Sequence, residues 1–263
     1  MRNSDAILFF FRNFAVRIQK KVMISVCMAT YNGEQYLKAQ IDSILCQLGE
    51  DDELVISDDH SVDHTKEIIL RYDDPRIRYY DNALVKGVTH NFENALMKAK
   101  GDIIFLADQD DVWYPEKIME MTDFMMQGNY DVVTCNCALT DAELNIKRDA
   151  YYTTESPLDR SVWGNFKKDL WLGCCMAFRR DILDDVLPIP PQLAAHDMWI
   201  SLYGQLHYHC GYYPKVLQLY RRHPETVSFA GEKSTNSLWY KLSYRVYLAW
   251  MLLWRSVQKG GRK

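Results

Sequence analysis

The chain has 263 residues, of which 48% are hydrophobic, 13% aromatic and 25% charged. That composition suits one large domain, alone or with an appendage, and excludes a disordered chain, a collagen-like repeat and a small disulfide scaffold. The formal net charge of −4 is unevenly spread, because residues 1–22 carry five basic side chains against one acidic and residues 233–263 carry seven basic and no acidic ones. The acidic body between them is a poor nucleic-acid binder, so we expect metal ions in the body, anionic lipid at the ends and no nucleic acid.

The cysteines indicate the compartment. There are seven of them, an odd number, and no CxxC pair is present that would build a zinc site. Most lie in apolar runs, so a reducing compartment, the cytoplasm, is the simplest interpretation. The apolar stretch 6–11 is interrupted by Arg12 and is too short for a signal peptide or a membrane span. Residues 1–22 are either an upstream extension or a basic amphipathic leader.

The first half alternates short apolar runs with amphipathic stretches. The apolar runs predict strands at 23–29, 53–57, 76–80 and 101–107. The amphipathic stretches predict helices at 33–48, 62–72, 89–100 and 115–127. Such alternation is typical of an α/β fold with a mostly parallel, Rossmann-like sheet, in which ligands bind at the carboxyl ends of the strands.

The alternation loosens after residue 127. Strands are predicted at 131–139, 172–179 and 214–222, with a helix at 196–206. We therefore expect one domain over 23–232, made of two halves, 23–127 and 128–232. The second half is expected to be a smaller mixed sheet packed against the first.

Polar residues follow three of the predicted strands, at 29–33, 57–61 and 108–111. One acid after a strand commonly caps the next helix, but Asp108, Asp110 and Asp111 are three carboxylates within four residues. Two of them can face one hard divalent cation, with a solvated turn as the plainer alternative. The sequence has no GxxxxGK[ST] and no GxGxxG, so a nucleoside diphosphate bound through its metal fits better than a glycine cradle.

Three segments carry a family resemblance. They are SVCMATYNGEQYLKAQIDSIL (25–45), ELVISDDHSVDHT (53–65) and GDIIFLADQDDVWYPEKI (101–118). Together they resemble the family 2 glycosyltransferases, inverting enzymes of GT-A fold that use nucleotide sugars. DQDDVW at 108–113, HDMW at 196–199 and YRRH at 220–223 are similar to the bacterial rhamnosyltransferase-like branch, and the likeness runs from about residue 24 to residue 228.

The resemblance implies that 23–127 is the nucleotide-sugar half and 128–232 the acceptor half, and it implies roles for individual residues. Asp110, with Asp108 and His223, is implied to hold Mg²⁺ or Mn²⁺ on the donor diphosphate, and Asp197 to deprotonate the acceptor hydroxyl. The implied nucleotide-sugar contacts are Thr30, Tyr31, Asn32, Asp58, Asp59, Asp108, Gln109, Arg221 and Arg222. The sequence departs from the family in having His196 before Asp197, where an acid is more usual, and in having Arg222 and Glu225 where this branch more often has Gln and Asn.

Plainer interpretations stand beside these roles. Asp197 is otherwise a helix N-cap or a charge partner of His196, and His223 is otherwise a hydrogen-bonded loop histidine. Trp113 is expected to pack under the acidic loop, with stacking on a sugar as the alternative.

The C-terminal segment 233–263 predicts a basic amphipathic helix. At 100° per residue, one face carries Lys241, Arg245, Arg255 and Lys259, together with Leu248 and Leu252. The opposite face carries Trp239, Leu242, Val246, Trp250, Leu253 and Val257. Such a helix docks on the body, on another subunit or on an anionic membrane, of which we favour the membrane.

The sequence as a whole predicts a cytoplasmic, membrane-peripheral inverting glycosyltransferase. Its donor is expected to be a dTDP- or UDP-sugar, with rhamnose suggested by the branch, and its acceptor a surface polysaccharide or a lipid-linked glycan. A sugar nucleotidyltransferase would carry a Gly-rich, Lys-containing loop after the first strand, which this sequence lacks. A non-catalytic partner of the same fold is disfavoured by the presence of Asp108, Asp110 and Asp197.

Overall fold

The computed structural model describes residues 22–168, 170–193, 195–224 and 237–260. The predicted extension 1–22, apart from Val22, lies outside the described residues, as do 233–236 and 261–263 of the C-terminal segment. None of the helices within the described ranges is both long enough and apolar enough to cross a bilayer.

The strands and helices alternate through the first half of the chain. The strands are β1 (Ile24–Thr30), β2 (Glu53–Asp58), β3 (Ile77–Asp81), β4 (Ile103–Asp108), β5 (Val112–Trp113), β6 (Val132–Thr140), β7 (Ile146–Arg148), β8 (Met176–Arg179) and β9 (Cys210–Arg221). The helices are α1 (Leu37–Leu45), α2 (Thr65–Leu70), α3 (Val88–Lys98), α4 (Lys117–Gln127), α5 (Val162–Lys168), α6 (Leu183–Val186), α7 (His196–His207) and α8 (Leu238–Gly260). Two single 3₁₀ turns lie at Gly173–Cys175 and Arg180–Ile182.

The described strands form one nine-stranded sheet in the order β3-β2-β1-β4-β8-β6-β9-β5, with β7 paired to β6. The first four strands are parallel, and β8 joins β4 in antiparallel register, with Ile104 opposite Phe178. The predicted α/β fold with a Rossmann-like sheet is therefore confirmed. It differs from the expectation in one respect, because the mixed second half continues the first sheet instead of forming a smaller sheet against it.

Both faces of the sheet are covered by apolar layers, which explains why the central strands read as continuous apolar runs. All seven residues of β1 are buried. In β4, Phe105 and Ala107 point to the layer formed with α1 and α4, whereas Ile104 and Leu106 point to the layer formed with α3 and α7. The antiparallel strand β8 contributes residues to both layers, so the core of the first half continues into the second half.

Two helix starts differ from the sequence prediction because polar turns precede them. The first helix begins at Leu37 and not at residue 33, since the Gly33 carbonyl accepts the amides of Tyr36 and Leu37 in a tight turn. The second begins at Thr65 and not at residue 62, after a loop in which Asp63 accepts the Thr65 amide at 3.0 Å. Both turns lie at the carboxyl edge of the sheet, where the predicted site is.

Candidate active site

The parallel register brings the three polar strand ends together. Thr30 at the end of β1 is paired with Asp58 at the end of β2, and Ala29 is paired with Asp108 at the end of β4. The loops that follow these strands therefore share one edge of the sheet, as expected for a ligand site in an open α/β sheet.

The two acids after β2 shape their own loops. The Asp58 carboxylate, 1% exposed, accepts the hydroxyls of Thr30 at 2.8 Å and Ser61 at 2.6 Å and the Ser61 amide at 2.8 Å. The Asp59 carboxylate accepts the Asn82 side-chain amide at 2.8 Å. The predicted contacts of Thr30, Asp58 and Asp59 with base and ribose remain predictions. Asp58 Oδ2 and Asp59 Oδ1 each accept one of these bonds and retain a lone pair.

Gln109 links the loop after β4 to the loop after β1. Its Oε1 accepts the Tyr31 amide and its Nε2 donates to the Tyr31 carbonyl, both at 2.9 Å. A Cβ on Gly33 would lie 2.3 Å from Gln109 Oε1, so only glycine allows this approach. Asn32, at φ 47°, accepts the Val62 amide at 2.9 Å. Tyr31 itself is 48% exposed, so its ring remains available to a nucleoside.

The third acid of the trio is structural. Asp111 is fully buried and accepts the Gln218 side-chain amide at 2.9 Å and the Arg221 main-chain amide at 3.0 Å. Burial raises its pKa well above the usual range, and the charges of Asp110 and Asp108 add to that shift. Asp111 therefore ties the acidic loop to β9.

Asp110 contacts His223, and both belong to the predicted metal site. His223 Nε2 lies 2.8 Å from Asp110 Oδ2. The Tyr36 ring packs against the His223 ring, with centroids 4.7 Å apart. Tyr36 was not singled out from the sequence, where YLKAQI shows only the start of a helix.

The two predicted diphosphate arginines lie beside this pair. Arg221 is 5% exposed, and its guanidinium donates to the carbonyls of Asp110, at 2.7 Å, and Ala142. Arg222 donates its amide to the Thr140 carbonyl at 3.0 Å. The Arg221 side chain thus holds the main chain of the acidic loop. Contact of either guanidinium with a diphosphate stays a prediction.

Asp108 lies at the centre of the acidic cluster. Burial raises its pKa to about 7, the charges of Asp110 and Asp197 add to the shift, and a hydrogen bond from the Cys174 thiol opposes it. One ligand atom from each of Asp108, Asp111 and Cys174 lies within 4.8 Å of the others. This cluster shares only Asp108 with the predicted ligand set of Asp108, Asp110 and His223. The carboxylate oxygens of Asp108 and Asp110 suit Mg²⁺ and Mn²⁺, so the acidic loop fits a divalent metal, whereas a ligand role for His223 stays a prediction.

Asp197 lies in the first turn of α7, and its contacts separate it from the plainer alternatives. Its Oδ2 accepts the Gly173 amide at 3.2 Å and its Oδ1 accepts the Met198 amide at 2.9 Å. The N-cap is Ala195, so Asp197 does not cap the helix. The His196 ring stacks on Phe92 at 3.9 Å between centroids, and burial lowers its pKa although the Asp197 charge opposes that shift. His196 is therefore a neutral, packed side chain and not a charged partner.

Some residues that build the site were not found from the sequence. Lys117, Gly173 and Gln218 are all buried near the acidic cluster. Gly173 donates its amide to Asp197, Gln218 donates its side-chain amide to Asp111, and Lys117 donates to the Cys174 carbonyl. Trp113, by contrast, packs under the acidic loop as predicted, with 2% of its surface exposed.

Comparison with known proteins shows which family this chain resembles. The sequence model of Glycosyl transferase family 2 matches residues 25–187. The chain is 33% identical over 121 residues to the UDP-Glc:alpha-D-GlcNAc-diphosphoundecaprenol beta-1,3-glucosyltransferase WfgD of Escherichia coli, covering 43% of this chain and 48% of that protein. The chain spans about half the length of the curated relatives it matches first.

Solved structures have the same fold at low sequence identity, which confirms the predicted GT-A fold. S. aureus TarS in complex with UDP-GlcNAc has a TM-score of 0.65 at 16% identity, over 86% of this chain and 66% of that one. Glucosyl-3-phosphoglycerate synthase from Mycobacterium tuberculosis, in complex with Mn²⁺, UDP and glucosyl-3-phosphoglycerate, has a TM-score of 0.59 at 18% identity, over 78% and 74% of the two chains. Because the family match extends over more than half of its residues, this chain belongs to glycosyl transferase family 2.

Proposed function

We propose that the protein transfers a sugar from a nucleoside diphosphate sugar to a hydroxyl of a lipid-linked or surface glycan, with inversion at the anomeric carbon. One observation carries the proposal: the 173–175 turn contacts both the proposed base and the acidic loop. Its Gly173 amide donates to Asp197, and a Cys174 atom lies within 4.8 Å of the carboxylates of Asp108 and Asp111. The family match and the nucleotide sugars in the names of similar proteins support it.

Asp197 is the proposed general base. It takes the proton of the acceptor hydroxyl while the new C–O bond forms at the anomeric carbon and the bond from that carbon to the diphosphate oxygen breaks. The Gly173 amide holds the carboxylate in one orientation. An inverting step needs one such carboxylate, on the face opposite the leaving diphosphate.

Asp108, Asp110 and His223 are the residues that would hold Mg²⁺ or Mn²⁺. A bound divalent ion supplies charge neutralisation for the departing diphosphate. The Asp110–His223 contact of 2.8 Å keeps one carboxylate oxygen in place, while Asp111 and Arg221 fix the main chain of the loop.

The donor is proposed to be a UDP- or dTDP-sugar that contacts the exposed Tyr31 ring and the loops after β1 and β2. The name of the E. coli relative supports a UDP-sugar and a diphosphoundecaprenol-linked acceptor. Rhamnose rests on the DQDDVW, HDMW and YRRH segments alone, so the donor screen below decides it.

Helix α8 supports a peripheral membrane position, by a face other than the basic one. Its basic side turns toward the body: Arg255 donates to the Leu187 carbonyl at 2.7 Å, and Lys259 pairs with Asp185. Leu248 and Leu252, on the same side, are buried. Arg255 and Lys259, two of the four cations that the sequence suggested for lipid contact, therefore anchor the helix to the protein.

The apolar side of α8 faces outward. Trp239 is 80% exposed, Trp250 63% and Val257 67%. A continuous apolar stripe with tryptophans is typical of a helix that lies in the membrane interface. We propose that this stripe rests on the cytoplasmic face of the membrane, where a lipid-linked acceptor is found.

All seven cysteines lie in the described part of the chain and are free thiols, in keeping with a reducing compartment.

A donor screen tests the proposed function. Hydrolysis and thermal shift are measured with UDP- and dTDP-sugars, with and without Mn²⁺, for the wild type and for Asp197→Asn. Metal-dependent turnover that is lost in Asp197→Asn, with nucleotide binding retained, is the expected result. A response to dTDP-rhamnose alone supports the rhamnosyltransferase branch, and a response to UDP-sugars alone removes rhamnose. If no nucleotide binds under any condition, the non-catalytic partner replaces the enzyme.

A further inference from the structure

Lys117 is a fully buried lysine at the start of α4. Lysine is rarely buried unless its charge is paired, so its neighbours are informative. Its ammonium lies 3.8 Å from the centroid of the Trp113 ring. It donates to the Cys174 carbonyl at 2.7 Å and to Gln218 Oε1. No acidic side chain contacts it directly among the described residues, so it is not half of an ordinary ion pair.

One side of this contact set leads to the acidic loop. Gln218 accepts from Lys117 and donates through Nε2 to Asp111 at 2.9 Å. The charge of Lys117 lowers the pKa values of Asp108 and Asp111, against the larger effect of burial. The ammonium therefore balances part of the negative charge of the cluster from beneath.

The other side leads to the proposed base. Cys174 belongs to the 3₁₀ turn Gly173–Cys175, and the amide of Gly173 donates to Asp197 Oδ2 at 3.2 Å. The turn precedes β8 in the second half of the sheet, whereas Lys117 follows the acidic loop of the first half. One buried ammonium thus joins the two halves of the site.

We propose that Lys117 is a positioning residue that fixes Asp197 relative to the acidic loop, by holding the 173–175 turn through the Cys174 carbonyl. The inference rests on the proposed function, because it treats Asp197 as the base. Without the link, the acidic loop keeps its contacts to Arg221 and His223, whereas the turn loses the side chain that holds it from below. Loss of Lys117 therefore affects the base more than donor binding.

The test compares Lys117→Met, which keeps the length and removes the charge, with Lys117→Arg, which keeps the charge. Lys215→Met is the matched control, since Lys215 pairs with Glu120 of the same helix at the surface. We expect kcat of Lys117→Met to fall about 100-fold, the loss typical of a catalytic group displaced by roughly 1 Å, while the donor KM changes less than about threefold. Lys117→Arg should recover part of that loss but stay below the wild type, because its larger planar head displaces the Cys174 carbonyl, and Lys215→Met should match the wild type.

A double-mutant cycle with Asp197→Asn separates positioning from general damage. If Lys117 acts through Asp197, adding Lys117→Met to Asp197→Asn costs little further activity. Hydrogen exchange of the 173–175 amides supplies a readout independent of turnover, and it should quicken in Lys117→Met. Losses that multiply in the cycle, or a folded Lys117→Met with kcat within twofold of the wild type, would overturn the proposal.

Three further outcomes have distinct interpretations. If Lys117→Met does not fold, Lys117→Arg carries the test, because its larger planar head must displace the Cys174 carbonyl: a partly reduced kcat at unchanged donor KM supports the proposal, and wild-type kcat with wild-type amide exchange overturns it. An inactive wild type means that the proposed function has failed. An active wild type with insensitive Lys117 variants means that only this inference has failed.

Discussion

Gly173 offers a sharp test of how the proposed base is held. A Cβ at this position would lie 3.0 Å from Asp197 Cβ, 3.1 Å from His196 Nε2 and 3.4 Å from Asp197 Oδ2. Carbon atoms in contact prefer about 3.5–4.0 Å, so in Gly173→Ala the Asp197 side chain must move by roughly 0.5 Å.

The expected cost follows from that displacement. A shift of about 1 Å in a catalytic group can cost about 100-fold in rate, so half of that shift corresponds to roughly 10-fold, or about 1.4 kcal/mol. The free energy of unfolding should change little. Alanine lowers the conformational entropy of the unfolded chain, which stabilises the protein by about 0.4–1 kcal/mol and offsets part of the cost of the close contact. The variant therefore separates activity from stability.

The assay is steady-state transfer at saturating donor, with the unfolding free energy measured in urea. Gly49→Ala is the matched control, since its Cβ would lie 3.2 Å from Asp52 Oδ2, a carboxylate outside the proposed site, and its kcat should equal that of the wild type. A folded Gly173→Ala with kcat within twofold of the wild type would refute the idea that the turn positions Asp197.

Three further predictions concern the base, the acidic cluster and α8. Asp197→Asn should reduce kcat by at least about 100-fold with donor binding within threefold, as measured by turnover and calorimetry; equal losses of both would point to a binding role. The pKa of Asp108 is raised to about 7 in the folded protein, so the folded state binds the extra proton and the metal-free protein should lose stability as pH rises from about 4 to about 7. Urea titrations in chelator should show that loss, and Asp108→Asn should flatten it; an unchanged slope in the variant would contradict the assignment. Trp250→Glu on the exposed face of α8 should weaken binding to vesicles by about tenfold, judged by co-sedimentation against Ser243→Glu, an exposed polar position of the same helix; equal effects of the two variants would remove the membrane contact.

The site was predictable where the signal is local. An apolar run followed by a short polar segment marks the end of a buried strand, so the order of residues along the chain was enough to place Asp58 and Asp108 at one sheet edge. The same local pattern set α1 too early, because a hydrogen-bonded turn at Gly33 has nearly the polarity of a first helical turn.

Features that depend on distant contacts were not predictable. Lys117 occupies a position in PEKI that suits a solvated first turn, and only the contact with Cys174, 57 residues further along the chain, explains its burial. For α8 the periodicity predicted two faces but not which one meets the body. That choice depends on the Leu187 and Asp185 partners of Arg255 and Lys259, which periodicity within α8 does not reveal.

The reciprocal link between Gln109 and the Tyr31 main chain has a consequence for substrate discrimination. The segment proposed to face the nucleoside is coupled to the segment that carries the acids, because one side-chain amide makes both hydrogen bonds between them. A donor with an ill-fitting base should therefore bind more weakly and also react more slowly once it is bound. Fidelity toward the base is then expected in kcat as well as in KM, and Gln109→Ala should confine it to KM.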